Sequence, residues 1–393
     1  MSENLTINKL WNGSYILMLL LNVLTFTGFM MVNPVLAPYA ISIGATLKFA
    51  SVIAGIFALM ALFARPLAGL AVDRINKKHL LHVSVALLMV TTLSYALAPT
   101  YQSLLLVRIL HGLFFAISST AGTSLATAYI PRNKLGQGIG YLGITYILGS
   151  GLGPNLGVLI SEQVNYQAAF YAATGLLALA TILMFFLDSK PAAPHAATGL
   201  KRSIRLHDLI APELLFLSLL TACFAFLNGL IGNYILLLAE ERSIVNVSFF
   251  FTVSTVILLV IRPTTGYLMD KKSLKFILVP AFAMATTAAV LLSQAMSLTM
   301  VLIAAVFYAV GQGSGTPAIQ TTSIRRMGPA RVGVATSTYF IGMDVGQGLG
   351  AIMGGYAAAI LGSFSYVFLG AAAVLLIGLA AFLLNRREKA LAK

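Results

Sequence analysis

The sequence predicts an all-α integral membrane protein with twelve transmembrane helices in two six-helix halves. Three observations predict this fold class: the composition, the long apolar runs and an internal repeat. Of the 393 residues, 59% are hydrophobic and 9% are charged, whereas soluble domains carry about 25% charged residues. The mean hydropathy of +0.92 agrees with a chain that lies mostly in lipid. The two predicted halves are residues 1–187 and 212–393, joined by a cytoplasmic linker at 188–211.

Twelve apolar runs are each long enough to cross a bilayer core, which takes about 20 helical residues. The predicted spans are 12–38, 47–71, 80–98, 101–128, 134–160, 166–187, 212–238, 247–269, 275–293, 298–323, 333–358 and 363–384. The linker breaks this pattern with two prolines and several basic residues. We expect no cleaved signal peptide, because the apolar run from Tyr15 is too long for a signal-peptide core.

The internal repeat is clearest in a basic turn that occurs twice, 197 positions apart. The matching pairs are Arg65 and Arg262, Pro66 and Pro263, Gly69 and Gly266, and Asp73 and Asp270. A shared offset indicates one unit of about half the chain length, used twice. An orientation signal would account for one such turn. Two turns in register favour a paired structural element, in which glycine lets two helices approach closely.

The positive charges predict the orientation of the chain. Twenty Lys and Arg residues lie on one side of the predicted spans, and Lys48 and Arg242 lie on the other. Basic loops stay in the cytoplasm, so both termini and the linker are predicted to be cytoplasmic, in the plasma or inner cell membrane. The remaining three, Arg65, Arg108 and Arg262, lie within spans or at their ends.

The first basic turn resembles the loop between helices 2 and 3 of the major facilitator superfamily, whose motif is G-x-x-x-D-R-x-G-R-K. The residues at those positions are Gly69, Asp73, Arg74, Asn76, Lys77 and Lys78. Asn76 replaces the second glycine, a mild change because Asn tolerates left-handed conformations. The resemblance covers the whole chain and implies the major facilitator fold. It also implies a gating role for Gly69, Asp73, Arg74 and Asp270, with Asp73 reaching the start of the eleventh helix.

Two spans carry glycines four residues apart, a spacing that lines one helix face and lets a neighbour pack closely. These glycines are Gly149, Gly153 and Gly157 in the fifth span and Gly346, Gly350 and Gly354 in the eleventh, again 197 positions apart. Ordinary helix packing accounts for the eleventh span. In the fifth, Pro154 follows Gly153 and loosens the helix. This Gly-Pro element resembles the motif of superfamily antiporters and exporters, which implies export and a gating role for Gly153 and Pro154.

Three ionisable residues in the spans are candidates for proton coupling: Asp344, Arg108 and His111. Asp344 is near the middle of the eleventh span, where a charge costs several kcal/mol and usually faces a cavity or a partner. The alternative is a permanently charged Asp with a structural partner. Arg108, His111 and Gly112 resemble the superfamily's fourth-helix motif, whose arginine is implicated in proton coupling. His111 could equally be a neutral histidine that hydrogen-bonds between helices.

The resemblance implies a substrate cavity lined mainly by helices 1, 4, 7 and 10. Its candidate lining residues are Asn22, Thr25, Phe26, Asn33, Phe115, Asn228, Asn233, Tyr234, Tyr308 and Gln312. For each amide the alternative is hydrogen bonding between helices. Together, these amides and aromatic rings suggest a moderately sized amphipathic or cationic substrate. The third, sixth, ninth and twelfth spans are almost purely apolar and are expected to face lipid.

Several function classes are excluded by what the sequence lacks. There is no Walker motif, so ATP is not the energy source, and no catalytic or metal-binding pattern, so we expect neither an enzyme nor a cofactor or metal. The formal charge of +14 lies in loops rather than on a nucleic-acid-binding surface. The leading hypothesis is a monomeric, proton-coupled antiporter of the drug-exporting kind. Within this fold, the alternative is an importer or facilitator of a nutrient or metabolite. From another class, the alternatives are a membrane enzyme, against which the lack of a catalytic pattern argues, and a non-transporting receptor, against which Asp344 and the polar cavity argue.

Overall fold

A computed structural model describes residues 9–188 and 209–385 of the chain. Most of the predicted linker, with its prolines and basic residues, lies outside the described residues, as does the basic C-terminal segment from Arg386. The described part of the chain contains twelve α-helices and no β-strand. The all-α prediction is therefore confirmed.

The helices follow the predicted spans one by one. They are α1 Gly13–Ser42, α2 Leu47–Arg74, α3 Lys77–Leu97, α4 Tyr101–Ala128, α5 Leu135–Gln163, α6 Tyr166–Leu183, α7 Leu215–Glu241, α8 Phe249–Lys271, α9 Leu274–Ser293, α10 Leu298–Met327, α11 Val332–Leu361 and α12 Phe364–Leu384. Several helices continue past the predicted apolar run into polar sequence, as α10 does through Arg325 and Arg326. The glycine-rich segment of α10 that ends at Pro317 is part of a continuous helix.

Eleven of these helices are long and apolar enough to cross a membrane. The exception among the described residues is α11, which has 30 residues, ample for a span. Its glycines, its hydroxyl-bearing residues and Asp344 interrupt its apolar sequence. This composition suits a helix that packs closely against other helices rather than against lipid.

The basic turn between α2 and α3 is closed by Asn76. Its side chain accepts hydrogen bonds from the backbone N–H groups of Lys78 (3.0 Å) and His79 (3.2 Å), which is the N-cap arrangement for α3. Its φ is −58°, so the chain turns here without a left-handed residue. Asn76 therefore acts as the N-cap of the next helix, and its position does not require a residue that tolerates a positive φ.

The chain forms two compact units that differ from the two contiguous sequence halves. Unit 1 comprises Met1–Arg132, Leu142–Ala211 and Met327–Ser337, and unit 2 comprises Asn133–Tyr141, Pro212–Arg326 and Thr338–Lys393. The first residues of α5 therefore group with unit 2, and the first residues of α11 group with unit 1. The predicted halves, residues 1–187 and 212–393, follow from the duplication of the sequence. As structural domains they stay a prediction.

The core of unit 1 includes polar and aromatic side chains from α3. Tyr95 is fully buried, and Thr91 and Thr92 are buried beside it. The ring of Tyr95 lies 5.5 Å from that of Phe170 on α6. The third span was predicted to face lipid, and this face of α3 is instead buried in unit 1. A nearly continuous apolar run does not reveal which face of a helix is buried.

One polar cluster joins the ends of α1, α4 and α6 within unit 1. The Asn12 amide donates to the Tyr129 carbonyl (2.8 Å), and the Tyr129 hydroxyl donates to the Asp188 carbonyl (2.7 Å). The Ser14 hydroxyl donates to Asp188 Oδ2 at 2.5 Å. Burial, with a smaller contribution from the Asp188 charge, raises the pKa of Tyr129 to about 12. The hydroxyl therefore stays a donor at physiological pH.

Candidate gating and coupling sites

Asp73, in the last turn of α2, binds the beginning of α11 within unit 1. Its carboxylate accepts the backbone N–H of Gly333 at 2.7 Å and that of Val334 at 2.9 Å. The N–H groups of a first helical turn have no partner inside the helix, and the helix dipole favours a negative charge there. We call this contact the first carboxylate anchor.

Asp270 makes the same contact in unit 2. Its two oxygens accept the N–H groups of Gly136 (2.8 Å) and Gln137 (3.0 Å) at the beginning of α5. We call this contact the second carboxylate anchor. Gly136 and Gln137 precede Gly333 and Val334 by 197 positions, so the repeat includes the donors as well as the acids. The sequence analysis did not identify these donors, although the 197-residue offset could have predicted them.

Glycines make both anchors possible because they let the helices approach. A Cβ placed on Gly69 would lie 2.8 Å from Ser337 Cβ, and one on Gly266 would lie 2.9 Å from Gln137 Cα. Real Cβ atoms essentially never come so close. Gly69 and Gly266 thus allow the short distance between the two helices at each anchor. Their role in gating stays a prediction.

The two anchors differ in their basic residues. Arg325 on α10 forms an ion pair with Asp270 and donates to the Met269 carbonyl at 2.7 Å. The residue 197 positions before Arg325 is Ala128, so Asp73 has no equivalent partner from α4. Arg74, predicted to take part in gating, is half-buried and ends α2 next to Asp73. The second anchor thus includes an ion pair with α10, whereas the cations that act on Asp73 in the first anchor are Lys77 and Arg331.

The glycines of α5 pack against α1 inside unit 1. A Cβ on Gly153 would lie 2.5 Å from Met30 Cβ and 2.7 Å from the Thr27 carbonyl oxygen, and Gly149 meets Phe26 in the same way. Pro154 lies within the continuous α5 helix. In unit 2, Gly342, Gly346 and Gly350 of α11 contact α7 through the carbonyls of Ser218, Ala222 and Phe226. We therefore place the close-packing role of Gly153 in the contact between α1 and α5.

Gly153→Leu is expected to lower transport about tenfold or more, and to lower the melting temperature, because overpacking a tight contact costs about 1–3 kcal/mol. The matched control is Gly151→Leu, since Gly151 is exposed on the same helix and nothing lies within 4 Å of its Cβ position. Transport in vesicles and thermal unfolding would be measured for both. Equal behaviour of the two variants would show that the approach of α5 to α1 does not matter for transport.

Arg108 and His111 lie together in the interior of unit 1. Arg108 is 4% exposed; its Nη2 donates to Asn33 Oδ1 at 2.9 Å, and its Cζ lies 4.6 Å from the centre of the Phe57 ring. His111 Nδ1 lies 2.9 Å from the Tyr95 hydroxyl, which joins α4 to α3. Among the described residues, Arg108 Nε and His111 Nε2 have no hydrogen-bond partner. Sequence reasoning missed Tyr95, because the apolar third span is typical of a scaffold helix.

Arg108 is thus a buried cation whose described contacts are neutral groups. Burying a charge without a counter-charge costs several kcal/mol. We expect Arg108→Met to leave the melting temperature unchanged or raised while reducing transport about tenfold or more. Thermal unfolding and vesicle transport would be compared in the same preparation. A parallel loss of stability and transport would instead assign Arg108 a structural role.

Asp344 is half-buried on α11 in unit 2. It lies two residues from both Gly342 and Gly346, which contact α7. Two residues correspond to about 200° around a helix, so Asp344 projects from the face opposite to that contact. Arg108 belongs to unit 1, and an ion pair between Arg108 and Asp344 stays a prediction.

Four of the predicted cavity residues come together in unit 1. Asn22, Thr25, Phe26 and Phe115 line a cavity of about 20 Å³, together with Tyr146 of α5. This volume suffices for about one water molecule. Asn22 Nδ2 is buried and has no hydrogen-bond partner among the described residues. Tyr146 was not predicted, because the resemblance pointed to helices 1, 4, 7 and 10 only.

Arg65 lies beside this cavity, whereas the sequence indicates only that it is within or at the end of a span. It is 3% exposed, and its Nη1 donates to the Ser119 hydroxyl at 2.6 Å. Its Cζ lies 5.8 Å from the centre of the Phe115 ring. The signal that could have identified Arg65 is its counterpart Arg262 in the repeat.

The remaining predicted cavity residues make contacts between or within helices. In unit 2 the Tyr308 hydroxyl donates to Asn228 Oδ1 at 3.0 Å, and Gln312 is buried one turn further along α10. Asn233 donates to a carbonyl of its own helix at 2.7 Å, and Tyr234 donates to the Ala351 carbonyl. The described residues contain no group of three or more His, Cys, Asp or Glu side chains that could hold a metal ion.

Comparison of the sequence with known proteins gives one family. The family model described as Major Facilitator Superfamily matches residues 18–336 and 217–393. An uncharacterized MFS-type transporter of Methanocaldococcus jannaschii is 24% identical over 342 residues, which cover 85% of this chain and 88% of that protein. The quinolone resistance protein NorA of Staphylococcus aureus is 28% identical over 168 residues, which is 43% of each chain.

Comparison with solved structures gives the same fold. The human organic anion transporter MFSD10 (TETRAN) has a TM-score of 0.79 at 16% identity, covering 93% of this chain and 98% of that chain. FucP, a transporter crystallised in an outward conformation, has a TM-score of 0.73 at 16% identity with the same coverage. At this identity the likeness concerns the fold alone, and the fold prediction is confirmed.

Proposed function

This chain belongs to the major facilitator superfamily, and from that premise we propose that it is a proton-coupled antiporter that exports a small amphipathic or cationic organic compound by alternating access. Membership makes the chain a multi-pass membrane transporter rather than an enzyme. Proton coupling, direction and substrate are the proposed part.

The observation that carries the alternating-access part of the proposal is the pair of carboxylate anchors. Asp73 and Asp270 each hold the beginning of a helix through two N–H groups, in equivalent positions of the repeat. Contacts of this kind can break and re-form without covalent change. Two equivalent contacts, one per repeat, suit a protein that alternates between two states of similar free energy, because a few kcal/mol then suffices to change their populations.

Proton coupling is assigned to Asp344, with Arg108 and His111 as the further candidates. A carboxylate within a span costs several kcal/mol when charged, and protonation removes that cost. A proton moving down a potential of 100 mV releases about 2.3 kcal/mol, enough for a concentration ratio of about fifty. The buried residues Arg108, His111 and Tyr95 form a cluster, which we call the Arg108 cluster, and its described contacts lack a carboxylate. Its His111 provides a second place where charge can change during the cycle.

Export is supported by Gly153 and Pro154 of α5 and by the partial similarity to NorA, which its name describes as a quinolone resistance protein. Import or facilitated entry of a nutrient or metabolite is the second candidate, since a solved structure with the same fold is described as a fucose:proton symporter. MFSD10 is described as an organic anion transporter. The compounds tested should therefore include cationic, neutral and anionic ones.

The proposal is tested by accumulation in cells and by flux in vesicles of defined orientation. Cells with and without the protein would be loaded with a panel of dyes and metabolites, with the proton gradient intact or collapsed. A proton-coupled exporter lowers accumulation in cells and raises uptake into everted vesicles, and both effects disappear when the gradient is collapsed. Saturable uptake into right-side-out vesicles would support an importer. Flux that is indifferent to the gradient would exclude proton coupling.

A further inference from the structure

We propose that a groove on unit 2 between α8, α9 and α10 binds one anionic phospholipid, with an acyl chain in the groove and the phosphate at Lys272 and Lys275. This site is separate from the anchors and from the predicted coupling residues. The inference does not depend on the identity of the transported compound or on the direction of transport.

The groove has the size and the lining of a hydrocarbon site. Its volume is about 640 Å³. The apolar lining residues include Leu268, Phe276, Pro280, Ala281, Met284 and Val310. Its two inner hydroxyl groups satisfy each other, since Thr265 Oγ1 donates to Ser314 Oγ at 3.1 Å. The interior therefore presents mainly methyl, methylene and ring surfaces, which favour an acyl chain over a polar solute.

One end of the groove is basic. Ser273 and Lys275 belong to its lining, and Lys272 Nζ lies 5.6 Å from the centre of the Phe276 ring, which is also in the lining. Lys271 is adjacent, over the ring of Tyr267. The lysines lie at the turn between two membrane-spanning helices, which is the depth of lipid headgroups. Basic residues at this depth attract anionic lipids.

The lysines have no carboxylate to neutralise them in the described part of the chain. Asp270, the acidic residue of this turn, accepts two N–H groups of α5 and pairs with Arg325. Lys272 and Lys275 form no ion pair within residues 9–188 and 209–385. Phe276 is 56% exposed between them. An exposed aromatic ring flanked by two uncompensated cations above an apolar groove complements a phospholipid whose headgroup is negative.

The experiment is a lipid titration of the full-length protein in detergent, followed by native mass spectrometry. The probes are a phosphatidylglycerol and a phosphatidylcholine with identical acyl chains. We expect one phosphatidylglycerol to bind more tightly than phosphatidylcholine. In the double variant Lys272→Gln/Lys275→Gln that preference should fall about 30-fold, which corresponds to about 2 kcal/mol for two charges. Phosphatidylcholine binding should not change.

Two further variants separate the contributions. The control is Lys9→Gln/Arg132→Gln, which removes two exposed cations of unit 1 and should keep the preference. Met284→Trp places a bulky ring in the groove and should weaken the binding of both lipids. The proposal is overturned if the two lipids bind the wild-type protein equally, or if the Lys272→Gln/Lys275→Gln variant matches the control. It is also overturned if Met284→Trp abolishes a dimer instead of lipid binding, which would make a second copy the occupant.

Discussion

Replacing Asp73 with Asn is expected to slow transport about 30-fold while the protein still folds and inserts. The Asp73 carboxylate accepts two N–H groups of α11, and an amide has one oxygen with which to accept them. The NH2 group of the introduced amide would face the second backbone N–H. One of the two hydrogen bonds is therefore lost, and two hydrogen-bond donors are placed against each other. Hydrogen bonds to charged groups are worth about 1.5–3 kcal/mol. A loss of about 2 kcal/mol from one state of a balanced cycle changes its population about 30-fold.

Asp270→Asn tests whether the two anchors are equivalent. It should slow transport as well and should lower thermal stability, because Arg325 loses its carboxylate. Turnover per molecule in proteoliposomes and melting temperature would be measured for each variant and for the double variant. Glu162→Gln, which neutralises an exposed acid at the other end of α5, is the control. If the Asp73→Asn variant turned over at the wild-type rate, the prediction would be wrong. Membrane orientation would then be the only role of the basic turn between α2 and α3.

The anchors show what the sequence could and could not predict. The 197-residue offset predicted the acids and their glycines, because a duplication is visible in a single chain. The partners of Asp73 lie 260 and 261 positions further on, and composition carries no information about contacts at that separation. Resemblance pointed to the beginning of the eleventh helix. Position 333, at the beginning of that helix, lies 197 residues after Gly136. The same offset would therefore have predicted the equivalent contact of Asp270 with Gly136.

Side chains in the interior were harder to predict than helices. Apolar runs identify spans because crossing a bilayer requires length and low polarity. In a lipid environment both faces of a helix are apolar, so periodicity does not distinguish the buried face. For this reason the sequence predicts a scaffold helix around Tyr95, although Tyr95 contacts His111. Arg325 counts as an orientation signal in the sequence, although it pairs with Asp270.

The second large effect is expected at Asp344. Asp344→Asn should abolish accumulation against a gradient while leaving exchange and downhill flux. The reason is chemical: an antiporter needs a group that either holds a proton or carries a charge, and an amide does neither at physiological pH. Asp344 is the carboxylate nearest the middle of a predicted span. On α11 it projects away from the face that packs on α7. Glu at this position keeps the titratable group and should retain partial coupling.

The decisive measurement is proton release from purified protein in weak buffer when a compound identified in the accumulation panel is added. Wild-type protein should release protons on binding, Asp344→Glu should release fewer, and Asp344→Asn should release none. Because Arg108 could modulate the same step from unit 1, Arg108→Met and the double variant complete a mutant cycle. If Arg108 acts through Asp344, the double variant should match Asp344→Asn alone. Full release from Asp344→Asn would move the coupling site to the Arg108 cluster, where His111 is the next group to replace.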